Sequence, residues 1–282
     1  MQSRFCLNMA TIKRAPLEQQ IRVASSVGFR RIGLWLDDIE QAISRGAPLD
    51  TVADWIKAAS LKVDEICFIG GWQDAEGEAF RPVLENTHHI CEVSRRLDCD
   101  VVVAVPSLND SSIAFAAMRF RSICHVAREH QVRIALEFPG TAAEIKDLAT
   151  AAKLVSDAGC ENGGLVLDSF HFYLGGSKLE DLDRVSREKI FLVHLSDAMP
   201  VSVENLRTHH DFRTFPGEGT LSFGPLLARL QKMGYEGAFS LEIWNKRLME
   251  SDSNEVARRG LTSLLSLERN WGALKNGPAA SP

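Results

Sequence analysis

The sequence predicts an α/β protein with the fold of a (β/α)8 TIM barrel. Eight short apolar runs alternate with longer amphipathic stretches along the 282 residues. A chain of this length with 45% hydrophobic residues can bury one barrel-sized core or two smaller ones. No linker or low-complexity tract interrupts the alternation. Eight repeats of strand and helix fit a closed barrel better than an open sheet.

The individual elements follow from hydrophobic periodicity. The predicted strands lie near 4–8, 30–35, 63–68, 100–105, 132–137, 164–168, 190–194 and 238–243. The predicted helices cover about 16–28, 47–60, 78–98, 111–130, 142–158, 178–186, 222–233 and 252–269. Glycines at 28, 159 and 234 match helix ends. We therefore expect a single barrel domain over residues 1–274 and a frayed tail rich in Gly, Pro, Ala and Ser at 275–282.

Charge and composition exclude several classes of partner. The net charge is −5, the pI is near 5.9, and no run is rich in Lys and Arg, so we expect neither nucleic-acid binding nor adhesion to anionic membranes. No apolar stretch approaches the roughly 20 residues of a membrane span. The N-terminus lacks the layout of a signal peptide, and no Cys-x-x-Cys occurs, so we expect a cytoplasmic protein with reduced, buried thiols. The oligomeric state stays open, with a homo-oligomer among the alternatives.

The last four of the eight predicted strands each end near a side chain that can bind a metal. These residues are Glu137, Asp168, His194 and Glu242. Ionised carboxylates are rarely buried unless they are paired or bound to a metal. In a barrel, inward-facing groups at the C-terminal strand ends converge on one cleft. The alternative is four unrelated residues, each bonded locally.

Oxygen and nitrogen donors suit Mn²⁺, Mg²⁺, Co²⁺ or Fe²⁺ better than a metal that prefers thiolates. We therefore expect one divalent ion, with Mn²⁺ as the first choice.

Several segments carry a resemblance to a known family. They are Leu-Glu-Phe, Leu-Asp-Ser-Phe-His-Phe, Val-His-Leu-Ser-Asp, Arg-Thr-Phe-Pro-Gly-Glu-Gly and Leu-Glu-Ile-Trp. In this order they resemble the xylose-isomerase-like TIM barrels, in particular the sugar phosphate isomerase/epimerase group. The resemblance implies that Glu137, Asp168, His194 and Glu242 bind one divalent metal. It also implies that Glu137 and Glu242 move protons on the substrate.

The same resemblance suggests residues that contact substrate. His171 follows Asp168 by three residues, and Arg213 lies in the long segment 196–220, a candidate lid. The resemblance assigns both to substrate, although a locally bonded histidine and a solvated arginine are the alternatives. Trp35 and Trp244 lie at or after strand ends, where aromatic faces can pack on a polyol ring or simply form the rim.

A metal with two glutamates is suited to chemistry next to a ketone. A cation that holds the ketone oxygen spreads the charge of the developing enolate, and a carboxylate can then remove the neighbouring proton. Return of a proton by a second carboxylate gives isomerisation or epimerisation of a keto-sugar or cyclitol, our leading hypothesis. Loss of a β-hydroxyl would instead give a dehydratase of the inosose or 3-dehydroshikimate type. A barrel that binds metal or sugar without turnover is the third alternative.

Overall fold

Eight parallel strands close into a barrel in the computed structural model of the protein, which describes residues 2–208 and 210–275. The strands of the chain are β1 (Phe5–Asn8), β2 (Arg31–Trp35), β3 (Lys62–Ile69), β4 (Val101–Ala104), β5 (Arg133–Glu137), β6 (Gly163–Asp168), β7 (Ile190–Leu195), β8 (Asp197–Ala198), β9 (Arg213–Thr214) and β10 (Ala238–Leu241). The barrel order is β1-β10-β7-β6-β5-β4-β3-β2, and β8 pairs with β9 in a separate antiparallel sheet. The (β/α)8 barrel predicted from the sequence is confirmed.

Helices lie between the barrel strands. They are α1 (Leu17–Val27), α2 (Leu36–Ser44), α3 (Leu49–Ala58), α4 (Arg81–Arg96), α5 (Ile113–Glu129), α6 (Leu148–Ala158), α7 (Ser169–Leu174), α8 (Val203–Thr208), α9 (Phe223–Lys232), α10 (Lys246–Met249) and α11 (Ser253–Lys275). Gly28 and Gly159 end α1 and α6 with φ of 111° and 63°, in the left-handed region that favours glycine. The predicted tail at 275–282 lies outside the described residues, apart from Lys275.

The helices differ from the prediction after β6 and after β2. After β6 the helix predicted at 178–186 is wrong, because this segment forms the short 3-10 helices Leu179–Arg184 and Arg187–Lys189. Leu182 is the buried residue of the first of these, so one apolar anchor cannot sustain a long amphipathic helix. The α-helix is α7, which starts at the strand end because the Asp168 side chain accepts a hydrogen bond from the backbone N–H of His171.

The second difference is an additional helix, α2, between β2 and the helix predicted at 47–60, which forms as α3. Because α2 follows Trp35 directly, the sequence contains no turn residues that would mark the boundary between β2 and this helix.

The core and the cysteines agree with the composition. The barrel strands consist largely of buried apolar residues, and Leu7, Val103 and Val193, for example, have no solvent exposure. All six cysteines are free and buried, as predicted. In the part of the chain that the structure describes, no helix is both long and apolar enough to cross a membrane.

Candidate active site

The structure brings Glu137, Asp168, His194 and Glu242 together at the C-terminal end of the barrel. Glu137 ends β5, Asp168 ends β6, His194 lies in β7 and Glu242 follows β10. These four strands are consecutive around the barrel, so their ends form one side of its mouth. One ligand atom from each side chain lies within 4.8 Å of the others. Each of the four residues is at most 7% exposed.

Crowding of charge perturbs this cluster. Burial, followed by repulsion from Glu242, raises the pKa of Glu137 to about 7. Burial acts to lower the pKa of His194, but Glu65, Glu242 and Glu137 outweigh it and raise this pKa well above its ordinary value. A cluster of this kind is stabilised by protons or by a cation.

The four residues fit a divalent metal. His194 Nδ1 is buried and has no hydrogen-bond partner among the described residues, although Glu242 Oε2 and Glu137 Oε1 lie 3.4 and 3.5 Å away. An imidazole nitrogen and carboxylate oxygens that face one another are ligand atoms that first-row divalent ions bind. The thiol of Cys67 lines the same cleft, but its sulfur is not among the clustered ligand atoms. The donor set is therefore one of oxygen and nitrogen.

Arg213 and His171 lie beside the cluster. The Arg213 side chain is buried, with Nη1 3.4 Å from Asp168 Oδ2 and 3.7 Å from Glu242 Oε2. Its guanidinium carbon lies 4.4 Å from the centre of the Phe170 ring, in a cation–π contact. Arg213 is therefore not a solvated surface residue, and its charge offsets part of the carboxylate charge.

His171 has two close neighbours with N–H groups. The backbone N–H of Gly140 donates to Nδ1 over 3.0 Å, and Arg213 Nη2 lies 2.9 Å from Nε2. Because a neutral imidazole has a single acceptor nitrogen, only one of these contacts is a hydrogen bond in any one tautomer. The backbone holds one edge of the His171 ring, and the guanidinium of Arg213 contacts the other edge.

A cleft of about 350 Å³ opens above the cluster. Trp35, Trp244, His171, Arg213, Glu137 and Glu242 all line it. The ring centres of Trp35 and Trp244 are 5.0 Å apart and those of Trp35 and Phe68 are 5.5 Å apart, both edge to face. The aromatic side chains thus form an apolar wall opposite the charged groups, and the four residues predicted to contact substrate share one cleft with the two predicted catalytic glutamates.

Four backbone N–H groups in and next to the segment 196–220 bind Asp197, which has no solvent exposure. The Oδ1 atom of Asp197 accepts hydrogen bonds from the backbone N–H groups of Ala198 and Leu221. Its Oδ2 atom accepts from those of Gly217 and Gly219. Because β8 pairs with β9 next to this carboxylate, Asp197 holds the strand that carries Arg213.

Sequence reasoning missed Glu65, a fully buried carboxylate in the middle of β3. Its Oε2 atom lies 2.6 Å from His194 Nε2, and its Oε1 atom accepts from Ser240 and Asn8. A usable signal was present, because Asp64 and Glu65 are adjacent in a strand and one of two successive side chains must face the barrel interior.

The fold and the site together define a TIM barrel with a buried acidic and histidine cluster at its C-terminal mouth. The chain belongs to the xylose isomerase-like TIM barrel family, which it matches over residues 21–267.

Among curated proteins, the chain is 24% identical over 263 residues to an inosose isomerase of Halalkalibacterium halodurans, covering 90% of this chain and 93% of that protein. It is 29% identical over 258 residues to a 3-dehydroshikimate dehydratase of Pseudomonas aeruginosa, covering 89% of this chain but 40% of that protein. Both relatives are enzymes. The fold is also that of the IolI protein in a crystal structure with a bound zinc atom, at a TM-score of 0.88 and 21% identity, covering 95% and 99% of the two chains.

Proposed function

We propose that the protein is a divalent-metal-dependent isomerase or epimerase of an uncharged cyclic keto-polyol. The observation that carries the proposal is the position of Glu137 and Glu242, which belong to the buried cluster of four and also line the open cleft. Two carboxylates at the boundary between metal donors and substrate space suit proton transfer on a bound ketone.

Glu137, Asp168, His194 and Glu242 would hold the ion, which would polarise a ketone oxygen and make the neighbouring carbon acidic. Mn²⁺ is the first ion to test, with Mg²⁺, Co²⁺ and Fe²⁺ as alternatives. Zn²⁺ joins them because it is bound in the IolI protein.

The side chains of the chain supply the proton transfers. Glu137 lines the cleft, so one of its carboxylate oxygens can take a proton from the substrate and return it. Glu242 reaches the cleft from the far end of the row of four strands and can address another position of the same substrate. Arg213 and His171 would orient hydroxyl groups, while the wall of Trp35 and Trp244 would exclude water.

The charge of the cleft favours an uncharged substrate. Of the described residues that line the cleft, Arg213 is the only cation, and its guanidinium already contacts Asp168 and Glu242. With a divalent ion bound, the charges of the ion and Arg213 only match those of the three carboxylates, so no net positive charge is left to favour a phosphate or a carboxylate. An inosose carries neither group, whereas 3-dehydroshikimate is a carboxylate. The isomerase is therefore preferred to the dehydratase, which remains the second candidate because of the second curated relative.

Proton exchange in D₂O tests the proposal. Purified protein loaded with each metal is mixed with inososes, 3-dehydroshikimate, ketohexoses or pentulose phosphates and followed by NMR. We expect an isomeric product from an inosose, with deuterium at a carbon beside the ketone. Glu137→Gln and Glu242→Gln should nearly abolish turnover, whereas Asp64→Asn, which changes a buried carboxylate at the opposite, N-terminal end of the barrel, should not.

Two results would contradict the leading proposal. Loss of one water with a new enone absorbance, and no isomer, would establish the dehydratase. Metal binding without exchange on any of these ketones would favour the barrel that binds without turnover. The buried, free cysteines support the reducing cytoplasm as its location.

A further inference from the structure

Glu65 is a buried carboxylate that is not among the four clustered residues but contacts one of them. It has no solvent exposure, and three polar side chains surround it. His194 Nε2 lies 2.6 Å from Oε2, while Ser240 Oγ and Asn8 Nδ2 donate to Oε1 over 2.6 and 3.0 Å. A charge in this position must be compensated by hydrogen bonds or by an opposite charge, because an isolated buried carboxylate is strongly destabilising.

The orientation of Asn8 is fixed from its other side. Its Oδ1 atom accepts hydrogen bonds from Trp35 Nε1 over 2.8 Å and from the Ala10 backbone N–H over 2.9 Å. The amide therefore cannot flip without losing both bonds, and its NH₂ group must face Glu65. A continuous set of buried hydrogen bonds joins the Trp35 ring of the cleft wall, through Asn8, to Glu65.

The contact with Glu65 determines which nitrogen of His194 carries a proton. Ser240 and Asn8 donate to Oε1, whereas Oε2 accepts from Nε2–H and, over 3.8 Å, from the Cys67 thiol. In the neutral imidazole that metal binding requires, Nδ1 is then the unprotonated nitrogen, and it faces the carboxylates of Glu137 and Glu242. A neutral imidazole binds a metal through its unprotonated nitrogen, and the partner of its other nitrogen sets the tautomer.

We propose that Glu65 is the positioning residue of the metal centre, which fixes His194 with Nε2 protonated and Nδ1 available to the ion. This inference rests on the metal site of the proposed function. Glu65 also anchors Trp35 through Asn8, so one carboxylate orients both the metal ligand and the adjoining wall of the cleft.

The variant Glu65→Gln removes this preference with almost no change in volume. If the Gln oxygen faced His194, its NH₂ group would oppose the NH₂ of Asn8. If its NH₂ faced His194, Nε2 would have to accept and Nδ1 would carry the proton towards the metal position. The first arrangement therefore keeps an acceptor for Nε2–H only by losing the bond to Asn8, and the second opposes the metal-binding tautomer.

Asp64→Asn is the matched control. Asp64 is adjacent in the sequence, is also buried, and lies at the N-terminal end of the barrel beside Arg31, whose Nη2 lies 2.6 Å from Oδ1. Mn²⁺ and Co²⁺ affinities of metal-free protein are measured by calorimetry, and the visible spectrum of the Co²⁺ form reports on the ligands. We expect Glu65→Gln to weaken binding by about 10- to 100-fold and to change the Co²⁺ spectrum. Asp64→Asn should leave both as in the wild type.

A second measurement, on the wild type, tests the role of Glu65 even if the Glu65→Gln variant does not fold. Long-range ¹H–¹⁵N spectra of the Zn²⁺-loaded protein should show His194 protonated at Nε2. Protonation at Nδ1, or equal metal affinities of Glu65→Gln and Asp64→Asn, would overturn the role of Glu65. A wild type that binds none of these metals would instead overturn the proposed metal site.

Discussion

Gly33 leaves the space that Glu65 occupies inside the barrel. The two residues are paired between β2 and β3, and a Cβ atom on Gly33 would lie 2.4 Å from Glu65 Oε1 and 2.8 Å from its Cγ. Real Cβ atoms essentially never approach other heavy atoms so closely. The absence of a side chain on one strand therefore permits a buried carboxylate on the next.

We expect Gly33→Ala to destabilise the protein by about 1–3 kcal/mol, because the added methyl group overpacks the barrel. The measurement is urea denaturation of Gly33→Ala, Glu65→Ala and the double variant. The methyl group should cost less when Glu65 has been shortened. Equal costs of Gly33→Ala in the two backgrounds would show that the two residues are not coupled.

The pairing of Gly33 with Glu65 marks a limit of what the sequence could predict. Apolar runs fixed the strand positions, and charged groups at the ends of such runs marked Glu137, Asp168 and His194. Glu65 lies inside a strand, where its direction depends on the barrel register and on space left by a residue far away in the sequence. The helix α7 was missed because its apolar sequence, Ser169–Leu174, shows no polar face and is shaped by packing at the barrel mouth.

Removal of metal should destabilise the protein. Three carboxylates that approach within 4.8 Å of a common histidine repel one another when no cation is present. We expect a chelator to lower the melting temperature and abolish turnover, and Mn²⁺ or Co²⁺ to restore both. Calorimetric melts with and without added metal provide the measurement. An unchanged melting temperature across all tested divalent ions would contradict the prediction.

Cys160 should react differently from the other thiols. A hydrogen bond from Cys124 lowers the pKa of Cys160 to about 7, against burial and with help from Arg121. The pKa of Cys124 itself is raised by burial. We expect the rate of iodoacetamide labelling at Cys160, followed by mass spectrometry, to rise to half its maximum near pH 7. Cys124→Ala should move this midpoint upwards towards the ordinary value of 9.0, and an unmoved midpoint would exclude the contact as its cause.

Asp197→Asn should loosen the segment 196–220. An amide has one acceptor oxygen, so its NH₂ group would oppose two of the four backbone N–H groups that Asp197 now binds. A buried donor without a partner costs about 1–3 kcal/mol. We expect a lower melting temperature and faster proteolysis within the segment. Asp211→Asn, an exposed change in the same segment, is the control, and equal proteolysis of the two variants would contradict the role of Asp197.

Arg213→Ala should reduce catalysis without preventing metal binding. The guanidinium lies against Asp168 and Glu242 and lines the cleft, so its loss removes a donor to substrate while all four metal donors remain. We expect kcat/KM on the true substrate to fall at least about tenfold, which corresponds to about 1.4 kcal/mol of transition-state stabilisation. Arg213→Lys should recover little of this loss, because an ammonium group lacks the planar fork of arginine. Arg96→Ala, which removes an exposed arginine paired with Asp50, serves as the control and should retain the wild-type kcat/KM. An unchanged kcat/KM in Arg213→Ala, with one metal bound per chain, would limit Arg213 to a structural role at the barrel mouth.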